Sequence, residues 1–193
     1  MTYSESQIIS DVRVWTGHNH NDQPLIDIDD LYTLTLDELI RSKIETAARQ
    51  TLMEAPPMAL APGMPIRTQL QWSGLPGRGM AVLPLPDDFL RLLSIRLSDW
   101  DRPARIICDT DPACRWQAMP FTGIRGNPSR PVAVVTAYPS GRVAELYSST
   151  AGPEVRVVMA QYVPVPRLRD GVLSLPEWLY HDFIGRIAQM TQP

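Results

Sequence analysis

The sequence lacks the residue patterns on which most enzymatic chemistry depends. Its 193 residues contain three histidines and two cysteines, and no GxGxxG or GxxxxGK[ST] glycine pattern occurs. A phosphate-binding loop is therefore not predicted. A Gly-x-Ser-x-Gly elbow is also missing, and His181 is the only histidine outside the segment 18–20. We predict that the protein is not an enzyme and that it needs no cofactor.

Cysteine and long apolar runs are equally scarce. Cys108 and Cys114 lie six positions apart without a CxxC spacing or a nearby histidine, so we expect two buried thiols rather than a zinc site. No apolar run approaches the roughly 20 residues of a membrane helix. Residues 1–5 also lack the basic and apolar regions of a signal peptide. We expect an intracellular, soluble protein that does not bind a membrane.

The balance of charge limits the possible partners. The formal net charge is -3 and the pI is about 5.6, which argues against a general nucleic-acid binder because such a protein needs a basic face. Arg102 and Arg105 close to Trp100 leave a single-strand-binding module as one alternative. Nineteen prolines against three phenylalanines predict short strands joined by long ordered loops.

One polar segment has the composition of a metal site. His18, His20 and Asp22 or Asp27 lie close together in sequence, and imidazole and carboxylate groups are ligands for zinc and similar ions. A metal-dependent hydrolase that uses His18, His20 and Asp27 is therefore an alternative of another class. We favour a polar surface loop, because a loop does not orient two imidazoles toward one ion.

Three helices are predicted from their start signals and apolar spacing. Ser4 with Gln7, and Thr35 with Glu38, match the capping box. The first helix ends at Gly17, and the second runs to about residue 53. A third helix begins at 174–177, and its predicted apolar face contains Trp178.

The middle of the chain is predicted to be β-structure. Segments at 69–72, 80–83, 93–97, 104–108, 131–138, 142–148 and 154–163 are rich in β-branched or alternating apolar residues. Residues 55–68 are predicted to form an extended, proline-rich connection. The prediction is an α+β fold in which the N-terminal helices and the C-terminal helix pack together around a central antiparallel β region. Residues 1–56 with 174–193 form the helical part and 57–173 the β-rich part of a single structural unit.

The stretch 83–100 marks the border between helical and β composition. Two prolines precede an acidic pair, and alternating apolar residues follow. We predict a structural junction formed by Pro86, Asp87, Phe89, Leu92 and Trp100.

Several phrases of the sequence carry a family resemblance. They are Leu85-Pro86-Asp87-Asp88-Phe89, Ser98-Asp99-Trp100, Gly126-Asn127-Pro128, Arg130-Pro131-Val132, Glu145-Leu146-Tyr147-Ser148 and Leu175-Pro176-Glu177-Trp178. Over about residues 83–190 the chain resembles head-tail connector proteins of tailed bacteriophages, above all those of crAss-like phages, and more loosely the tubular tail adaptor of short-tailed phages.

The resemblance implies a structural protein of the virion. It implies a portal-proximal head-to-tail adaptor, in which identical subunits form a ring, by resemblance a dodecamer, that links the portal protein to other tail proteins. Genomic DNA would pass through the ring without specific binding during ejection. The expected location is the tail or neck of the virion, and the host cytoplasm during assembly. A head-completion or tail-terminator protein is the alternative within the same class.

A ring of subunits also needs contact surfaces between neighbours. Aromatic and methionine side chains commonly provide such surfaces. The predicted interface residues are Trp15, Met53, Met58, Met64, Trp72 and Trp178.

Overall fold

The protein is described by a computed structural model that covers residues 1–17, 35–73, 80–119, 121, 123–149 and 154–192. Its helices are α1 (Glu5–Thr16), α2 (Leu36–Glu54), α3 (Pro57–Leu60), α4 (Ala113–Gln117) and α5 (Tyr180–Thr191), with a 3₁₀ turn at Glu177–Leu179. Its strands are β1 (Thr2–Ser4), β2 (Met64–Pro65), β3 (Gln71–Ser73), β4 (Met80–Pro84), β5 (Phe89–Leu97), β6 (Arg105–Cys108), β7 (Val132–Tyr138), β8 (Gly141–Leu146), β9 (Val157–Pro164) and β10 (Val172–Ser174). The fold is α+β.

The chain divides into two compact units. The helical unit comprises Met1–Ala61 and Val165–Pro193, and the β unit comprises Pro62–Pro164. The sequence analysis had placed the division at 56/57 and 173/174. The second boundary differs because β10 pairs antiparallel with β1, in the register Thr2 to Ser174 and Ser4 to Val172. The first differs because residues 57–60 form the short helix α3, whose Ala59 carbonyl accepts a hydrogen bond from Trp178 of the helical unit. None of the helices in the described ranges is both long enough and apolar enough to cross a membrane.

Local signals start and stop the first two helices. The Ser4 hydroxyl accepts the Gln7 N–H (3.2 Å), and α1 ends at Gly17, whose φ of 77° suits glycine. At α2 the Thr35 side chain accepts the Glu38 N–H, and the Glu38 carboxylate accepts the Thr35 N–H at 2.8 Å. This reciprocal pair confirms the predicted capping box.

Helix α5 packs against α1 and α2 to form the core of the helical unit. Phe183 and Ile187 of α5 and Ile44 of α2 are fully buried. An ion pair between Arg186 and Glu54 (2.6 Å) joins α5 to the end of α2. The predicted packing of the final helix with the N-terminal helices is confirmed.

The placement of Trp178 on the apolar face of the last helix is wrong. Trp178 lies in the 3₁₀ turn before α5 and is 66% exposed. A 3₁₀ turn has three residues per turn rather than 3.6, so its side chains do not continue the stripe of the α-helix that follows.

The β unit contains two sheets. One has the strand order β2-β9-β5 and the other has the order β3-β4-β8-β7-β6. All pairs are antiparallel except β6 with β7, which is parallel and departs from the purely antiparallel prediction. Parallel neighbours need a long crossover connection, and here α4 and the turns after it fill the sequence between the two strands.

The proline-rich connection is less extended than predicted. Pro57 begins the short helix α3, because its fixed φ suits the first helical position. Met64 and Pro65 then form β2 against β9. The β unit thus begins well before the stretch 83–100, which lies inside this unit and not at its border.

Candidate functional site

Five of the six predicted interface residues are exposed. Met58 is 90% and Trp178 66% exposed, and Trp15, Met53 and Met64 are each about half exposed. A tryptophan usually buries most of its surface. The helical unit carries four of these five side chains, and two of the four are tryptophans.

Trp178 is exposed but held in place. Its indole Nε1–H donates to the Ala59 carbonyl of α3 at 2.8 Å. Ala59 directly follows the exposed Met58 in the sequence. The hydrogen bond fixes one edge of the indole and leaves the remaining surface available. A fixed aromatic ring loses little conformational entropy on binding, which is the property of an interface anchor.

Trp15 lies over the exposed side of α5. Its ring makes an edge contact with His181 at a centroid distance of 4.5 Å, and a Cβ on Gly185 would lie 3.4 Å from Cζ2 of the indole. Gly185 therefore provides the room for the ring, and a groove of about 340 Å³ runs beside it. Sequence reasoning missed His181 and Gly185 as partners of Trp15, although their spacing of four places them on one helix face.

The two other predicted interface residues belong to the β unit. Trp72 is half-buried on the edge strand β3 and packs against the core. Met64 is exposed on β2, the short edge strand of the other sheet. Trp72 therefore serves mainly the core of its own unit.

The predicted junction residues divide into core and turn. Phe89, Leu92 and Trp100 are buried in the core of the β unit. The Pro86 carbonyl accepts the Phe89 N–H at 3.0 Å, which closes a turn that leaves Asp87 exposed. Because Trp100 is 2% exposed, it cannot stack on a nucleobase as the single-strand-binding alternative required.

The prediction that both cysteine thiols are buried is wrong. Cys108 is exposed and Cys114 is half exposed. Cys108 is the last residue of β6, and its thiol lies 2.9 Å from the Thr110 hydroxyl. A hydrogen bond with the Thr110 hydroxyl lowers the pKa of Cys108, whereas burial raises the pKa of Cys114.

The proposed metal ligands His18, His20, Asp22 and Asp27 lie outside the described residues. Within the part of the chain that the structure describes, no three histidine, cysteine or acidic side chains form a cluster suited to a metal ion.

A buried carboxylate in the β unit is shared by two tyrosines, and sequence reasoning missed it. Glu145 on β8 is 9% exposed, and its two oxygens accept the hydroxyls of Tyr138 and Tyr147. Buried carboxylates need such donors. The hydrogen bond to Glu145 raises the pKa of Tyr138 from 10.0 to about 12, and burial with the same carboxylate raises that of Tyr147 still further.

These tyrosines predict a loss of stability in alkali. The pKa of Tyr138 is higher in the folded protein than in the unfolded chain, so its contribution is complete below pH 10 and is lost as the pH rises through about 12. The free energy of unfolding, measured with urea, should fall as the pH is raised from 10 to about 12. In Glu145→Gln, the tyrosinate absorbance of Tyr138 should appear closer to pH 10, and an unchanged titration would contradict the pairing.

No protein-family model matches the chain, and no curated protein is significantly similar to it.

Proposed function

We propose that this protein is a structural component of a bacteriophage virion, a head-to-tail adaptor whose copies form a ring between the portal and the tail. The observation that carries the proposal is the exposed apolar surface of the helical unit, with Met58, Trp178 and Trp15. Side chains of this kind are enriched at protein interfaces. The resemblance of residues 83–190 to head-tail connectors supplies the identity of the assembly.

Two features of the molecule support an interaction role over a chemical one. The two exposed tryptophans of the helical unit are held by tertiary contacts, Trp178 by its hydrogen bond to the Ala59 carbonyl and Trp15 by its edge contact with His181. The perturbed tyrosines hydrogen-bond to carboxylates within the fold, as Tyr138 does to Glu145 and Tyr180 to Asp11 (2.6 Å). These groups stabilise the protein and leave its exposed apolar surface for partners.

The first test is the composition of the virion. Mass spectrometry of purified virions should detect the protein in several copies per particle, and electron microscopy should locate it at the neck. Its absence from purified virions would overturn the proposal.

A surface substitution tests whether the apolar exterior is used. Met58→Glu should abolish incorporation into particles, because a carboxylate would lose its hydration at an apolar interface. The fold should be retained, since Met58 is 90% exposed and an acidic residue is favourable in the first turn of α3.

Val158→Glu is the matched control. Val158 is 61% exposed on β9 and is not among the predicted interface residues. Circular dichroism should show both variants folded, and only Met58→Glu should be missing from virions. Normal incorporation of Met58→Glu would show that the surface around Met58 is not part of the interface.

A further inference from the structure

Four arginine side chains line one groove of the β unit. Arg102 lies three residues before β6, and Arg105 is its first residue. Arg125 and Arg130 flank the turn that leads to β7. The groove has a volume of about 500 Å³, and none of its lining residues is acidic. Nothing in the local sequence pattern brings these four positions together, because they span the crossover between two parallel strands.

The positive charge of this arginine groove is poorly compensated. Arg105 reaches Asp111 only at 3.9 Å with a side chain that is 71% exposed, and Arg102 donates through Nε to the Ser129 carbonyl (2.6 Å). Across the described ranges no ion pair involves Arg125 or Arg130. In the helical unit, by contrast, Arg13, Arg41 and Arg186 each pair with a carboxylate.

The nearby carboxylate of Asp101 offsets only part of the charge of four arginines. It accepts the Ser129 hydroxyl at 2.8 Å and is absent from the lining. Like charges held close together repel each other, and a bound anion relieves that repulsion.

The turn between Arg125 and Arg130 is held rigidly. The Asn127 side-chain oxygen accepts the N–H groups of Ser129 and Arg130, both at 3.0 Å. The buried Gly126 N–H donates to the Gln117 side chain at 2.8 Å. The backbone that carries Arg125 and Arg130 is therefore ordered before any ligand binds, which lowers the entropic cost of binding.

The helical unit presents a surface of complementary character. Glu177, Trp178, His181 and Asp182 are all exposed at the start of α5, and together they form what we call the acidic ridge. No ion pair of Glu177 or Asp182 occurs among the described residues. By sequence, the helical unit contains 13 acidic and 7 basic residues, whereas the β unit contains 8 acidic and 11 basic residues.

We propose that the acidic ridge of one copy binds the arginine groove of the next copy. Glu177 and Asp182 would pair with Arg125 and Arg130, since guanidinium groups bind carboxylates in a bidentate manner. Trp178 would cover the half-exposed Ile124 of the groove or stack on a guanidinium group.

Such a contact is heterologous. Every complex formed in this way keeps one free groove at one end and one free ridge at the other, and repetition of the contact closes a ring when the rotation permits. The inference rests on the proposed assembly of identical copies and identifies the surfaces that join them. A second copy is favoured over nucleic acid as the occupant, because the chain as a whole carries a net charge of -3 and its oppositely charged surfaces lie on separate units.

The test uses two double variants of the full chain. The groove variant carries Arg125→Glu and Arg130→Glu, and the ridge variant carries Glu177→Arg and Asp182→Arg. Analytical ultracentrifugation at low salt should show association of the wild-type protein that weakens as salt is added. Each variant alone should remain monomeric.

The mixture of the two variants is the decisive measurement. The native ridge of the groove variant can bind the native groove of the ridge variant, and the two charge-reversed surfaces are complementary as well. An equimolar mixture should therefore associate, with the two variants in a one-to-one ratio. A chain that carries all four substitutions should associate again, because both charges are reversed. Arg115→Glu with Arg156→Glu, at two exposed arginines outside the groove, is the matched control and should associate like the wild type.

Three results would overturn the inference. They are a wild-type protein that stays monomeric at low salt, a groove variant that still associates by itself, and a mixture of the two variants that does not associate. Binding of a single-stranded oligonucleotide that is lost in the groove variant, with no association in the mixture, would assign the groove to nucleic acid instead. Detection of the protein in virions would be unaffected by these results, so failure of the contact and failure of the proposed function are distinguishable.

Discussion

Phe89→Asp should prevent the β unit from folding. Phe89 is 4% exposed and stacks beside Tyr162 with a centroid distance of 6.2 Å. Removing a buried phenylalanine ring costs about 3–5 kcal/mol, and the unpaired carboxylate adds a desolvation penalty. The total approaches the whole stability of a small domain, about 5–15 kcal/mol. Loss of amide protection across β5 and β9 in hydrogen exchange would measure the effect.

The neighbouring position provides the control. Asp88 accepts the Tyr162 hydroxyl through Oδ1 at 2.9 Å, and an asparagine oxygen can accept the same hydrogen bond. Asp88→Asn should therefore change the free energy of unfolding by less than about 1 kcal/mol. A folded Phe89→Asp protein would contradict the core assignment, and a folded Asp88→Asn protein that lost its function would point to a chemical role for this carboxylate.

Gly126→Ala should destabilise the β unit by about 2–4 kcal/mol. A Cβ at this position would overlap the Ser148 hydroxyl and lie 3.2 Å from the Arg130 carbonyl oxygen. The Ser148 hydroxyl accepts the Val132 N–H at 2.8 Å, so its displacement leaves a backbone amide without its acceptor. The midpoint of urea unfolding should fall accordingly.

Gly123→Ala separates this steric effect from the general effect of replacing glycine. No atom lies within 4 Å of a Cβ at Gly123, so the change in stability should stay within about 0.5 kcal/mol. Equal stabilities of the two variants would show that the turn at Gly126 relaxes without cost. A destabilised Gly126→Ala protein should also lose salt-dependent association, because the same turn orders Arg125 and Arg130.

Local chemistry was sufficient to predict the two long N-terminal helices and the β7–β8 hairpin. The N-cap at Ser4 and the capping box at Thr35 placed the starts of α1 and α2 correctly, because a cap satisfies backbone groups within one turn, although Ser4 makes only one of the two hydrogen bonds of the predicted box. The hairpin of β7 and β8 followed from β-branched runs on both sides of a short turn. Each of these signals lies within a few residues of the structure that it specifies.

The candidate surfaces depended on contacts that no local pattern encodes. Trp100 and Trp178 are both tryptophans that follow an acidic residue, yet Trp100 is 2% and Trp178 66% exposed. The exposure of a side chain depends on which distant elements cover it. The sequence pattern alone placed Trp100 at a structural junction and Trp178 on the apolar face of a helix, and so did not distinguish the two. Glu145 likewise became a shared acceptor only because β7 and β8 bring two tyrosines to it.

By itself the sequence determined the α+β class, the helix boundaries near the caps, and the candidate interface residues, because those depend on composition and on hydrogen bonds over short separations. Only the tertiary structure decided that the first and last segments share a unit, through the pairing of β1 with β10. It also decided that four arginines between residues 102 and 130 line one groove. Such arrangements arise from long-range packing, in which burial and strand pairing outweigh local preference.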